Sequence, residues 1–390
     1  MTISLVETTL LVAASQGFFL SIFIFYRSRH LFANRFLGLV LFLYSFTLLD
    51  MFLWDVGFYL TFPSFRLLTI AVPLTLSPLQ FLYARYLTRS FSKLKKIDLL
   101  HFLPFVAAMI SFAILFFTIY NDHLLLMQRV DRGEALLFFS IFNWVIIFQI
   151  FPYMGLTLWI LHRYEQDIKS IFSDIDKIHL HWLRNITIII FAAASFFLIE
   201  TVIYMLGFSI SQTFTLTSIV VAASVYAMGY LALFKSAIFL KPEVSVPISK
   251  INELGASSEN VLEKYAKSGL SNQMADDYLA RLERIMQDEK SFLISDLTLT
   301  QLAEKLDISP HNLSEILNTR TQKNFFDYVN HFRVEAAKKE LVAPDSQHFK
   351  ILAIAFNSGF NSKTSFNTIF KKYTGQTPSQ FRQATLSHSS

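Results

Sequence analysis

Apolar residues along this 390-residue chain follow two different rhythms. Up to about residue 240 they come in long, nearly continuous runs, and beyond it they recur every three or four positions. A helix crossing a bilayer needs about 20 mostly apolar residues at about 1.5 Å each. Seven stretches satisfy that, at roughly 5–26, 36–58, 67–87, 99–120, 135–161, 186–207 and 214–238. The second and third carry polar residues, so the pattern is weaker there. The later rhythm predicts short amphipathic helices around an ordinary core. The expected fold is therefore all-α: a polytopic membrane domain of about seven helices, then a second all-α domain.

Composition sharpens this division. Charged residues are only 16% of the chain, against about 25% in soluble domains. Residues 1–240 hold 28 charges (about 12%), and residues 241–390 hold 35 (about 23%). Disorder is excluded, because it needs low hydrophobicity and high charge. The absence of cysteine excludes disulfides, thiolate metal sites and cysteine nucleophiles.

Short-loop Lys and Arg set orientation in a membrane. With the N-terminus outside, the inner loops hold 14: Arg27, Arg29, Arg35, Arg85, Arg89, Lys93, Lys95, Lys96, Arg163, Lys169, Lys177, Arg184, Lys235 and Lys241. The outer loops hold Arg66, Arg129 and Arg132. An odd number of spans then puts the C-terminal domain in the cytoplasm. A signal peptide is the competing reading of residues 5–14, but the first charge is Glu7 and the apolar run resumes at Phe18, so a retained helix is expected.

Ionisable groups inside spans are candidate functional positions. Glu7, Asp50 and Glu200 fall in the outer half of this topology, and Arg66 is the natural counter-ion. Either they form an outward-facing pocket for a ligand or proton, or they are interfacial residues with a structural ion pair. Asn143 and Gln149 are expected to bond between helices. His179 and His181, without a third ligand, make a poor metal site. No catalytic constellation, metal site or cofactor motif is expected.

Lys241-Pro242, Pro247 and Gly255-Ala256-Ser257-Ser258 read as a linker. The domains expected are thus 1–240, a linker with an amphipathic helix over 241–290, and 291–390. The helix from about Asp276 repeats Tyr278, Leu279, Leu282, Ile285 and Met286 at helical spacing. That stripe packs either on the next domain or against a second copy.

Two helix-turn-helix units follow. In the first, Thr300 is expected to cap a helix bearing Leu302, Ala303 and Leu306, with Glu304 near the capping-box position. Ser309-Pro310 then starts a second helix that buries Leu313, Ile316 and Leu317 up to about Asn318. In the second unit, Ile351, Leu352, Ile354, Ala355 and Phe356 form one helix, and Ser358-Gly359-Phe360 makes the turn. Asn361 or Ser362 caps the next helix, which buries Phe366, Ile369 and Phe370. Phe325–Leu341 connects the units, and Thr377-Pro378 opens a last short helix with Phe381. A helix-turn-helix places its second helix in the DNA major groove.

These residues resemble a known family. Residues about 295–385 are similar to the DNA-binding domain of AraC/XylS transcriptional regulators. The matching residues are Leu302-Ala303, Ile308-Ser309 and Leu313; Phe326, Tyr328, Arg333, Ala337 and Leu341; and Ile354 to Phe360, Phe366, Phe370-Lys371-Lys372, Gly375, Thr377-Pro378 and Phe381-Arg382. Lys264-Tyr265 to Leu270, SPLQFLYARYL at 77–87 and HFLPF at 101–105 resemble members with a multi-spanning N-terminal region.

The resemblance implies a seven-helix sensor joined to a DNA-binding domain. Its implied partners are double-stranded promoter DNA, RNA polymerase, membrane lipids, a second copy in a homodimer, and an unknown small-molecule or envelope signal. It implies groove-facing positions at His311, Asn312, Ser314, Glu315 and Asn318, and at Lys363, Thr364, Ser365, Thr368 and Lys371. Arg320, Lys323, Lys371 and Lys372 are expected phosphate contacts. The same polar faces emerge from the helical pattern alone.

Residues 291–390 carry 11 basic and 8 acidic side chains, a thin +3 for DNA binding. Weak binding by the first unit, or dependence on dimerisation, is therefore expected. Coupling is expected through the inner ends of the last membrane helices and the linker. Two rivals are a transporter or enzyme carrying a reporting DNA-binding domain, and a tethered regulator released by proteolysis at 241–260.

Overall fold

The computed structural model describes residues 5–27, 32–89, 93–119, 136–176, 178–206, 219–224, 226–227, 230, 271–346 and 348–388. Their regular structure is helical apart from one isolated antiparallel bridge, Phe172 to Thr298. The chain divides into two compact units, Met1–His162 with Leu180–Val246, and Arg163–His179 with Pro247–Ser390.

The first unit contains α1 (Leu5–Arg27), α2 (Phe32–Asp55), α3 (Pro73–Arg89), α4 (Leu103–Ile119), most of α5 (Leu136–Ile171) and α6 (His181–Met205). Six helices among the described residues are long and apolar enough to cross a membrane. They account for the first six apolar stretches. The seventh, at 214–238, falls mostly outside the described residues, as do Arg129, Arg132 and residues 241–270 of the linker.

The polar residues that weaken the third stretch have a structural explanation. Some 78% of the most apolar window in the candidate span Arg66–Arg89 is buried, against 11–44% in the other five. The helix is enclosed by neighbours, so its polar groups face protein. Gln80 donates to Thr187 Oγ1 on α6 (3.0 Å), and Gln149 on α5 donates to the Leu74 carbonyl (2.8 Å). Such bonds satisfy polar groups that an apolar solvent would leave unpaired. Asp98, fully buried, pairs with Arg85 at 2.7 Å and accepts from Tyr86. Ser21 donates to the Gly38 carbonyl at 2.7 Å, where α1 and α2 approach closely; a Cβ on Gly38 would meet the Phe25 ring at 2.9 Å.

The second unit contains α7 (Asn272–Gln287), α8 (Leu299–Leu306), α9 (Pro310–Ile316), α10 (Phe325–Val342), α11 (Ile351–Asn357), α12 (Lys363–Thr374) and α13 (Pro378–His388). Leu282 and Met286 of α7 are fully buried in the core of the first helix-turn-helix, so the stripe packs on its own domain. The cap of α8 is Thr298 rather than Thr300: its side chain accepts from Gln301 N, and Gln301 reaches back to Thr298 N. That full capping box sits two to three residues before the pair read from sequence. Asp307 ends α8 in a left-handed conformation (φ 57°), and Ser309 with Pro310 starts α9 as expected. Gly359 turns at φ 87°, and a Cβ there would lie 2.6 Å from the Phe292 carbonyl, so only glycine fits.

α10 serves two cores. Phe325, Tyr328 and Val329 enter the first, and Phe326, Val334, Ala337 and Leu341 enter the second. Residues 163–184, read from sequence as a charged loop, are helical as far as Ile171 and again from His181. Ile168 and Ile175 are buried in the second core, with Tyr164, Phe172 and Ile178 against it.

Arg333 of α10 sits where these pieces meet and is 1% exposed. Nε donates to the Phe292 carbonyl (2.8 Å), and Nη2 to the carbonyls of Ile294 (2.8 Å) and Ser295 (3.2 Å) and to Ser173 Oγ (3.0 Å). Nη1 donates to the Ser173 carbonyl (3.1 Å). Burial pulls its pKa down to about 10, and Asp174 and Asp296 oppose that. The group stays charged at neutral pH.

Replacing Arg333 with Met would leave these acceptors unpaired, at a cost of about 3–5 kcal/mol by analogy with a broken buried ion pair. Hydrogen exchange should then accelerate in α10 and at residues 172–176 and 292–295 together. Acceleration confined to one of these segments would contradict the junction role.

Candidate nucleic-acid interface

The two second helices, α9 and α12, begin with matching chemistry. Ser309 Oγ accepts from Asn312 N at 3.1 Å, and Ser362 Oγ accepts from Ser365 N at 3.0 Å. Each serine satisfies a first-turn amide and fixes where its helix begins. Leu313, Ile316 and Leu317 anchor the first helix, and Phe366, Ile369 and Phe370 the second. What remains outside is polar.

His311, Asn312 and Ser314 on α9, and Asn318 in the turn that follows it, are partly exposed. On α12, Lys363, Thr364, Thr368 and Lys371 are exposed. Two expectations of exposure are corrected. Glu315 is 9% and Ser365 7% exposed, so neither side chain lies on the open face. Residue 315 is followed directly by the core positions Ile316 and Leu317, and the helix widens there into a π-turn over Leu317–Thr321. Ser365 lies one residue before the fully buried Phe366.

Two of the expected phosphate-binding cations are engaged internally. Arg320 Nε pairs with Asp276 of α7 (2.7 Å), and its Nη2 donates to Asn272 Oδ1 (2.8 Å). Lys372 Nζ pairs with Asp327 of α10 (2.7 Å), whose carbonyl accepts from Tyr373 (2.8 Å). Both pairs are partly exposed, so they are weak and exchangeable. The separation of Asp276 and Arg320 in sequence concealed the first. Lys371 and Lys363 keep exposed ammonium groups on α12.

Asn and Lys suit adenine and guanine edges in the major groove. Two capped helices, each presenting a polar face beside a buried apolar one, define a helix-turn-helix DNA-binding domain. Comparison with known proteins specifies the type. Residues 302–384 match the model of a helix-turn-helix domain. An uncharacterized HTH-type transcriptional regulator of Staphylococcus aureus strain COL is 37% identical over 87 residues, 22% of this chain and 11% of that protein. The Msm operon regulatory protein of Streptococcus mutans serotype c is 26% identical over 147 residues, 36% of this chain and 51% of that protein. The chain therefore covers about a tenth of the first relative's length and about half of the second's. No solved structure matches the chain. The C-terminal region is an AraC-type DNA-binding domain of the kind carried by transcription regulators.

In the first unit of the chain, Asp50 and Arg66 form an ion pair, with Nη1 2.6 and 2.7 Å from the two carboxylate oxygens. Tyr59 donates to the same carboxylate at 2.6 Å, and Trp54 lies 4.8 Å from the guanidinium. The natural counter-ion was thus legible in sequence. Glu200 is buried in α6, and Glu7 lies in the first turn of α1.

Changing Lys371 to Ala should weaken binding to all duplexes alike and reduce the salt slope by about one. Changing Asn312 to Ala should instead relax base preference at one position by about 1–3 kcal/mol. Titrations of the full chain against specific and mixed-sequence duplexes at several salt concentrations check both. Identical profiles for the two variants would contradict the division of roles.

Proposed function

We propose that this protein is a membrane-embedded, one-component transcription regulator of the bacterial cytoplasmic membrane. The apolar helices hold it there with the N-terminus outside. The cytoplasmic C-terminal domain binds promoter DNA in response to a small-molecule or envelope signal. The observation that carries this reading is the coexistence in one chain of span-length apolar helices, six of them among the described residues, and an AraC-type domain with two exposed polar helix faces. The 14-to-3 distribution of Lys and Arg supports the orientation. The name of the Streptococcus mutans relative, an operon regulatory protein, supports regulation as the outcome.

In this reading the site residues at the DNA are His311, Asn312, Ser314, Asn318, Lys363, Thr364, Thr368 and Lys371. Arg320 and Lys372 exchange their carboxylate partners for phosphate, and a homodimer and RNA polymerase complete the promoter complex. Glu7, Asp50, Arg66 and Glu200 are the sensing candidates. The closed Asp50–Arg66–Tyr59 arrangement favours a structural role for that pair. Glu200, buried at 2% exposure, is the stronger candidate. The protein is not an enzyme in this account.

Cell fractionation combined with genome-wide DNA crosslinking tests the reading. Full-length protein should sediment with membranes and enrich discrete promoters. Substituting Ala at Asn312, Lys363 and Lys371 together should abolish that enrichment. Recovery in the soluble fraction, or equal enrichment by the triple variant, would contradict it. Glu200→Gln should shift the output of a reporter placed behind an enriched promoter, and wild-type output would remove Glu200 from the sensing group.

A further inference from the structure

The segment between α5 and α6 belongs to the DNA-binding unit, although about 120 residues of sequence separate it from α8. Phe172 pairs with Thr298, and Ser173 N and Oγ both donate to the Leu297 carbonyl at 3.2 and 2.7 Å. The Ser173 carbonyl accepts from Asn330 (3.0 Å) and Arg333 (3.1 Å) of α10. Ile168 and Ile175, at 2% and 7% exposure, anchor the segment in the second core. This is a built junction with fixed register.

That register places two carboxylates at the start of the second recognition helix. Asp174 Oδ2 accepts from Asn361 Nδ2 at 2.7 Å, and Asp176 Oδ2 accepts from Ser362 Oγ, the capping hydroxyl of α12. Asp174 Oδ1 also accepts from Asp176 N at 3.0 Å, which fixes the two acids relative to each other. A helix start carries partial positive charge from unpaired amides and attracts anions. In protein–DNA complexes that anion is often a backbone phosphate. Here two anionic side chains of the chain itself already lie beside that position, held by the side chains of Asn361 and Ser362. A phosphate approaching α12 from this end meets two negative charges instead of a favourable dipole.

We propose that Arg163–His179 is an intramolecular regulator of DNA affinity, and that the arrangement seen here is its low-affinity state. Asp174 and Asp176 repel the phosphate that would dock at the start of α12, and movement of the segment removes the repulsion. α5 is one continuous helix from Leu136 to Ile171, so the first acid lies three residues beyond the end of a span-length helix. A signal can therefore reach the recognition helix through α5, without passing through residues 241–270. This inference rests on the DNA-binding reading above.

The test uses the full chain in lipid nanodiscs and a duplex recovered by DNA crosslinking, with a mixed-sequence duplex as control. Asp174→Asn with Asp176→Asn keeps acceptors for Asn361 and Ser362 and removes both charges. At an effective dielectric near 20 and physiological screening, two charges about 8 Å from a phosphate correspond to roughly tenfold. The double variant should bind about tenfold more tightly. Equal or weaker binding would overturn the proposal. As a second arm, Asp174→Cys with Asn361→Cys supplies the chain's only two thiols. Joining them with a short bis-maleimide should weaken binding relative to the same protein before crosslinking, and equal binding would overturn the proposal. Failure of the wild-type chain to prefer the recovered duplex over the control would instead count against the DNA-binding reading itself.

Discussion

A buried guanidinium organises the C-terminal unit. Arg333 reaches four backbone carbonyls, at 173, 292, 294 and 295, and one hydroxyl, and all of these acceptors lie outside the α-helices, in loops, turns and one short 3-10 turn. Turns and loop segments cannot satisfy their own carbonyls as helices do, so they need donors when buried. Arginine supplies five N–H donors in a rigid fork and keeps its charge even when burial lowers its pKa. It can therefore gather several chain segments at one point. The cost of desolvating the charge is offset by this dense set of acceptors and by Asp174 and Asp296 nearby.

The rest of the unit follows from that point. α10 carries Arg333 and has apolar residues on more than one face, so it belongs to both helix-turn-helix cores at once. The two recognition helices are then positioned through one shared rod, not through a flexible connection. Gly359 lets the second turn pass against Phe292 and Leu293, beside the Arg333 side chain. The segment after α5 is tied to the same guanidinium through Ser173.

Much of this was legible in the sequence, for identifiable reasons. Long apolar runs mark helices directly, because an apolar solvent tolerates no exposed backbone. Ser309-Pro310, Gly359 and Ser362 mark turns and helix starts, because local chemistry decides them. The core positions of α8, α9 and α12 follow from helical spacing. What local pattern could not show was long-range pairing. Nothing near Ser173 announces a partner 160 residues away, and the acids at 174 and 176 read as ordinary loop charges. Arg333 was visible as a residue shared with a family, without its role. The cap at Thr298 was displaced from the expected Thr300 because Thr298 and Gln301 satisfy each other's backbone amides, which Thr300 with Glu304 does not. Glu315 and Ser365 were placed outside because helical spacing alone does not register what neighbouring elements cover.

The central claim is that α9 and α12 act together on one face of a duplex, held by α10. Hydroxyl-radical footprinting of the full chain in nanodiscs on its recovered promoter tests this most directly. The account predicts two protected segments whose centres lie about one helical turn, roughly 10–10.5 base pairs, apart. Substituting Lys371 should thin one of them, and substituting Asn312 should affect the other. A single protected segment, or two that respond together to either substitution, would contradict it.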